Sequence, residues 1–74
     1  MEEVKYDIQE SFGVLSATPS GWTKELNLVS WNGGEPKYDI RQWSPDHSKM
    51  GKGISLGREE AEELKNLLCK WLPK

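Results

Sequence analysis

The stretch that decides the fold runs from Trp22 to Trp43, "WTKELNLVSWNGGEPKYDIRQW". Two alternating apolar runs flank Asn32-Gly33-Gly34, and Asn and Gly both tolerate the positive φ of a hairpin turn. The length of that loop sets which side chains share a face. A two-residue Gly33-Gly34 turn pairs Asn32 with Glu35, setting Leu28 opposite Asp39 and Leu26 opposite Arg41. A three-residue loop pairs Trp31 with Glu35 instead, so that Leu28 meets Tyr38 and Leu26 meets Ile40. A one-residue slip exchanges faces, and only the second register gives one clean apolar side. It assigns Gly34 to a left-handed bulge position. It also gathers Trp31, Lys37, Arg41 and Trp43 on the opposite side.

The flanking segments complete the pattern. "SFGVLSAT", Ser11 to Thr18, reads as a first strand ended by Pro19-Ser20-Gly21. Trp22 to Trp31 is the second strand and Pro36 to Trp43 the third. Ser44 to Gly53 is a polar loop carrying Lys49 and Lys52, and Ile54 to Leu56 a short fourth strand. From Arg58 the period changes: Ala61, Leu64, Leu68 and Trp71 follow helical spacing, and Leu67 and Leu72 widen the stripe. Glu59 and Glu60 suit the first turn, where the helix dipole favours anions, and Pro73 marks the stop. The expected architecture is α+β, β-β-β-β-α: a four-stranded antiparallel sheet with one side covered by a C-terminal helix. The other side, with its aromatic and basic groups, is expected to be open, and bare tryptophans mark a binding surface.

At 74 residues the chain is a single domain, 1–74, with a small core. Cys69 is the only cysteine and His47 the only histidine, so neither a disulfide within the chain nor a Cys/His metal cage is available. Association into a homodimer is the remaining way to enlarge the core. No apolar run approaches the roughly 20 residues of a membrane span. The acidic start "MEEVKYDIQE" lacks the basic and apolar segments of a signal peptide. These features predict a soluble, cytoplasmic setting.

The net charge of -2 is unevenly distributed. Residues 1–36 set Lys5 and Lys24 against six carboxylates, a balance of -4. Residues 37–58 set Lys37, Arg41, Lys49, Lys52 and Arg58 against Asp39 and Asp46, a balance of +3. A local basic block in an acidic chain points to an anionic partner.

No catalytic site emerges. His47 reads as a solvated loop histidine and Cys69 as a small packing residue on the helix, while Glu59, Glu60, Glu62 and Glu63 form a solvated helix face. "GKGIS", Gly51 to Ser55, departs from the phosphate-loop spacing, and no cofactor is implied. Nucleic acid fits better, since single strands are held by cations along the phosphates and aromatic rings under the bases. The predicted binding residues are Trp31, Lys37, Arg41, Trp43, Lys49 and Lys52. Trp22 and Trp71 read as packing residues. A protein-interaction module using the same aromatic face is the alternative, though interface cores are depleted in lysine. Single-stranded RNA is a further candidate ligand, since nothing in the sequence reads a 2′-hydroxyl.

With "GWTKELNLVSWN", "EPKYDIRQWSPDHSKMGKGISL" and "REEAEELKNLL" in place, the chain resembles the positive cofactor four family of transcriptional coactivators, specifically its small bacterial YdbC-type members. Asp39-Ile40-Arg41, then Lys52-Gly53-Ile54-Ser55-Leu56 and an acidic helix start, carry the resemblance. It implies a homodimeric β-β-β-β-α domain that binds single-stranded DNA without sequence preference, in transcription, replication or repair, at the bacterial nucleoid. Arg41, Trp43, Lys49 and Lys52 match basic or aromatic places of the family's binding surface. Trp31 falls near a position with a stacking ring, and Lys37 is included from face geometry alone. The 74 residues hold no counterpart of the serine- and lysine-rich tail of eukaryotic members, and the loop before "GISL" is less basic than theirs. Gly57 stands where a capping Ser or Thr is expected, at a cost of a few tenths of a kcal/mol.

Overall fold

The computed structural model describes residues 5–72. Strands β1 (Tyr6–Ala17), β2 (Thr23–Trp31), β3 (Lys37–Trp43) and β4 (Met50–Leu56) are followed by helix α1 (Arg58–Trp71). The strands form one antiparallel sheet in the order β1-β2-β3-β4, the expected β-β-β-β-α arrangement. Pro73, expected to stop the helix, lies outside the described residues.

The hairpin register is the one that keeps the apolar side chains together: Leu26 pairs with Ile40 and Leu28 with Tyr38. The turn itself differs in detail. Asn32 (φ 53°) and Gly33 (φ 75°) hold the left-handed positions, and the Gly34 N–H donates to the Trp31 carbonyl at 2.8 Å. Two successive left-handed residues match the right-handed twist of the strands, so Asn32-Gly33 carries the turn and Gly34 closes it. The Ser30 hydroxyl donates to the Gly34 carbonyl at 2.6 Å, tying the turn to β2.

β1 departs further from expectation. It begins at Tyr6 rather than Ser11, and its pairing with β2 shifts register between Ile8 and Glu10, Ser11 and Gly13, and Val14 and Ser16. Each shift places an extra residue on β1, bending the strand and increasing its twist. The chain thereby changes faces. Tyr6 lies against Trp31 and Trp43 on one side of the sheet, whereas Phe12 stacks on Tyr38 and Leu15 sits beside Leu26 on the other.

The sheet is consequently curled. Tyr6 pairs with Trp31 at one end of β2, and Trp43 pairs with Thr23 at the other end. In a flat strand those ends stand roughly 26 Å apart. The Tyr6 ring nevertheless touches both Trp31 and Trp43, with centroids 5.8 and 5.5 Å away. The face bearing Trp31, Arg41 and Trp43 is therefore the inside of a trough.

Curvature reverses the expected burial. The fully buried side chains, Val29, Asn27, Asp39 and Trp43, all belong to the trough face, which the sequence predicts to be open. The face beneath α1 is the poorly covered one. α1 packs against β3 and β4, none of its residues is buried, and a groove of about 370 Å³ separates it from Leu26, Tyr38 and Ile40. At the start of the helix, Gly57 caps without a side chain, and its N–H donates to Glu60 at 2.9 Å.

β3 and β4 approach closely because Gly53 faces Arg41. A Cβ at Gly53 would lie 2.1 Å from the Arg41 Cβ and 2.4 Å from the Ile40 carbonyl oxygen. Since both contacts are with firmly placed atoms, Gly53→Ala is expected to cost about 1–3 kcal/mol or more. A urea titration that finds the variant as stable as the parent would contradict this packing.

Candidate nucleic-acid interface

The trough is built around four rings from four parts of the chain. β1 supplies Tyr6, β2 supplies Trp31 and β3 supplies Trp43, while the loop after β3 brings back His47. Tyr6 meets Trp31 and Trp43 at tilts of 48° and 52°. His47 lies flat on Trp43, with centroids 4.8 Å apart and planes 5° from parallel. The Arg41 guanidinium sits 4.9 Å over the Trp31 ring, a cation–π contact. Trp43 has no exposed surface, whereas Tyr6 is 39% exposed and the His47 side chain 44%. Trp31 is half-buried. The rings open to a ligand are thus Tyr6, Trp31 and His47, with Trp43 as their common backing.

Two carboxylates lie under this surface, and each is occupied. Asp39, fully buried, accepts from Arg41 Nε at 2.8 Å and Nη2 at 3.0 Å, and from the Ser55 hydroxyl at 2.7 Å. Arg41 Nη1 donates to the Gly51 carbonyl at 3.2 Å. Every nitrogen of the guanidinium is therefore held within the protein, and Arg41 orients Trp31 rather than extending toward solvent. Glu25 accepts from the Thr23 hydroxyl, from the Asn27 amide at 3.4 Å and from His47 Nε2 at 2.9 Å. Burial alone would raise the Glu25 pKa, but these hydrogen bonds outweigh it and hold the carboxyl below its usual range.

The loop that presents His47 is fastened from within. His47 adopts φ 61°, an uncommon conformation for a residue with a side chain, and its N–H donates to the Ser44 carbonyl at 2.9 Å. The Ser48 hydroxyl, the Ser48 N–H and the Ser44 hydroxyl all donate to Asp46, and they lower its pKa to about 2. His47, expected to be a solvated loop residue, is instead clamped between Glu25 and Trp43.

The predicted lysines separate. The register places Lys37 beside Val29 on the trough face, where it is exposed, and Lys49 is exposed at the end of the His47 loop. Lys52, expected on the same face, instead lines a shallow pocket with Lys24, Ile40 and Ile54 on the α1 side. β4 begins at Met50, so Lys52 belongs to the strand and, two residues before Ile54, shares that residue's side of the sheet. Trp22 is half-buried, in keeping with a packing role, while Trp71 is exposed, with Lys70 against its ring. Cys69 is exposed rather than packed. Tyr6, Glu25 and His47 were not anticipated. Alternation through Val4, Tyr6 and Ile8 is the signal that could have revealed Tyr6.

Among the described residues, three buried polar atoms on this face have no hydrogen-bond partner: Asn27 Oδ1, Trp31 Nε1 and Trp43 Nε1. An acceptor and two donors thus stand beside the rings.

Acid should loosen this region. Both Glu25 and Asp46 have folded pKa values below their ordinary ones, so each contributes stability above the ordinary value and loses it as pH falls through the folded one. For Asp46 that window runs from 3.8 down to about 2. The thermal midpoint is expected to fall across it, and Asp46→Asn should lower the neutral-pH midpoint while flattening the fall. An acid profile of unchanged slope in the variant would refute the role given to Asp46.

The family model described as Transcriptional Coactivator p15 (PC4) matches residues 18–67, from the turn before β2 through most of α1. The chain is also 49% identical over 67 residues to an uncharacterized protein of Treponema pallidum (strain Nichols), covering 90% of this chain and 79% of that one.

Proposed function

The chain belongs to the Transcriptional Coactivator p15 (PC4) family, and from that premise we propose that it binds single-stranded DNA, as a homodimer, along the aromatic trough. The family is a nucleic-acid-binding, non-enzymatic one, associated with single-stranded DNA and transcription. The YdbC-type bacterial subgroup fits this assignment. The observation that carries the reading is the trough itself, where partly exposed rings border exposed lysines. Bases stack on such rings whatever their identity, because every base has a π face. Lys37 and Lys49 contact phosphates, Arg41 and Trp43 hold the stacking surface in shape, and Lys52 meets the strand only if it wraps around the edge of β4. A bacterial nucleoid, during transcription, replication or repair, is the setting that suits this activity. Among the described residues no helix is long and apolar enough to cross a membrane.

The opposite face supports the dimer reading. Phe12, Leu15, Ile54, Leu67 and Leu68 are each 46–59% exposed around the groove beside α1. In a chain with so small a core, apolar surface this extensive marks an interaction site, and in this reading a second copy covers it. Sedimentation is expected to give twice the 8.5 kDa chain mass at micromolar concentration. A monomer that stays folded would overturn the dimer.

Titration with oligo-dT tests the binding. Affinity is expected to fall with salt, with a log–log slope of about 0.7 per phosphate contact on a single strand. Lys37→Ala and Lys49→Ala should each reduce that slope by about the same amount per site. Equal affinity for duplex and single strand would sink the stacking mechanism, and an oligo-U series run alongside decides whether RNA is bound as well.

A further inference from the structure

His47 is the only histidine of the chain, and its ring is held more firmly than a loop residue requires. Underneath, it lies flat on a Trp43 ring that has no exposed surface. At its edge, Nε2 meets Glu25 at 2.9 Å, and Glu25 is itself anchored by Thr23 and Asn27. Its backbone is fixed at φ 61° by the Ser44 turn and the Asp46 hydrogen bonds on either side. Left-handed backbone at a residue with a side chain is unfavourable, and such positions gather where function demands a set geometry. The outer side of the ring is open, with 44% of the side chain exposed. A solvated histidine needs none of this support.

A base could meet this structure in two ways. It could displace His47 and stack on Trp43, breaking the Glu25 contact, the existing ring stack and the loop turn together. Alternatively, it could stack on the outer face of His47, which requires no movement. We infer that His47, rather than Trp43, is the ring on which an unpaired nucleobase stacks at this end of the trough. Trp43 is the platform behind it and Glu25 the bracket that sets its plane. The stack then runs Trp43, His47, base, each layer parallel to the next. Bound to the imidazole and shielded by it, the Glu25 carboxylate is kept away from the approaching phosphates. The assignment rests on single-strand binding by the trough and names one of its subsites.

The single histidine makes the test direct. Oligo-dT is titrated into the untagged 74-residue chain while the two carbon-bound imidazole protons are followed by NMR at one fixed pH. A base on the outer face is expected to move both signals upfield by its ring current, saturating with the binding isotherm. In parallel, His47→Ala should weaken oligo-dT binding by about 5- to 150-fold, the span of one base stack. His47→Phe, which keeps a flat ring, should bind within a few fold of the parent. Binding by His47→Ala as tight as, or tighter than, the parent would show that the ring merely covers Trp43. Imidazole signals that stay still while the parent binds would also overturn the assignment, and they decide the matter even if His47→Ala fails to fold. Failure of the parent to bind oligo-dT at all would instead remove the proposed function, and this subsite with it.

Discussion

Asp39 is a carboxylate with no exposed surface in a sheet only four strands wide, and much of the trough hangs on it. Its two oxygens hold Arg41 in a forked pair and receive the Ser55 hydroxyl, which ties β3 to β4. The same guanidinium reaches the Gly51 carbonyl and lies over Trp31 of β2. One ion pair therefore joins three strands and orients a ring. A buried pair of this kind adds little stability relative to apolar residues of similar size, but losing one partner leaves an uncompensated charge. Its value here is geometric, because the fork admits only one arrangement of Arg41 and so one placement of the cation beneath Trp31.

The curl of the sheet follows from the same economy of space. Three register shifts bend β1, and the absent Cβ of Gly53 lets β4 close on Arg41. Bent in this way, the sheet turns its polar-aromatic side into the more buried one, and the few fully buried side chains of the fold include Asn27 and Asp39. A core with that composition relies on hydrogen bonds for its specificity, and the partnerless Asn27 Oδ1 and indole N–H groups show that satisfaction is incomplete. The apolar side chains that would ordinarily form a core lie outward, around α1. The fold thus has its aromatic trough stiffened from within and its hydrophobic side chains left exposed around the helix.

The parts of this design that rest on local pattern could be read from the sequence. Leu26 and Leu28 against Tyr38 and Ile40, with Asn32-Gly33-Gly34 between, admit one register that keeps apolar side chains together, and the structure has it. The helix was equally legible from the spacing of Ala61, Leu64 and Leu68. β1 was legible only in part: the run from Ser11 falls within it, but its shifts break the period of two on which strand reading depends, and the segment from Tyr6 to Glu10 was missed. Nor could the occupancy of the two faces be read, since curvature sums small irregularities distributed over the whole sheet. Lys52 went astray because it was assigned to the loop: β4 begins at Met50, and alternation from Ile54 then puts Lys52 on the α1 side. His47 depends on Glu25, 22 residues away, and no local pattern announces such a pair.

The count of charges changes once these contacts are known. By sequence, residues 37–58 carry a surplus of three positive charges. Arg41 is cancelled by Asp39 and enclosed, and Lys52 and Arg58 lie on the α1 side of the sheet, which leaves Lys37 and Lys49 on or beside the trough. If the trough binds a single strand as proposed, the attraction for the polyanion would be modest in each copy, and the rings would supply a larger share of the binding. This suits a chain that is acidic overall: weak long-range attraction gives little hold on duplex DNA, whose bases are already stacked, whereas an unpaired strand can offer its bases to the rings. Preference for single strands would then arise from the balance of the two terms, with few cations and a rigid aromatic surface, and a second copy supplying a second trough would restore the affinity that few cations forgo.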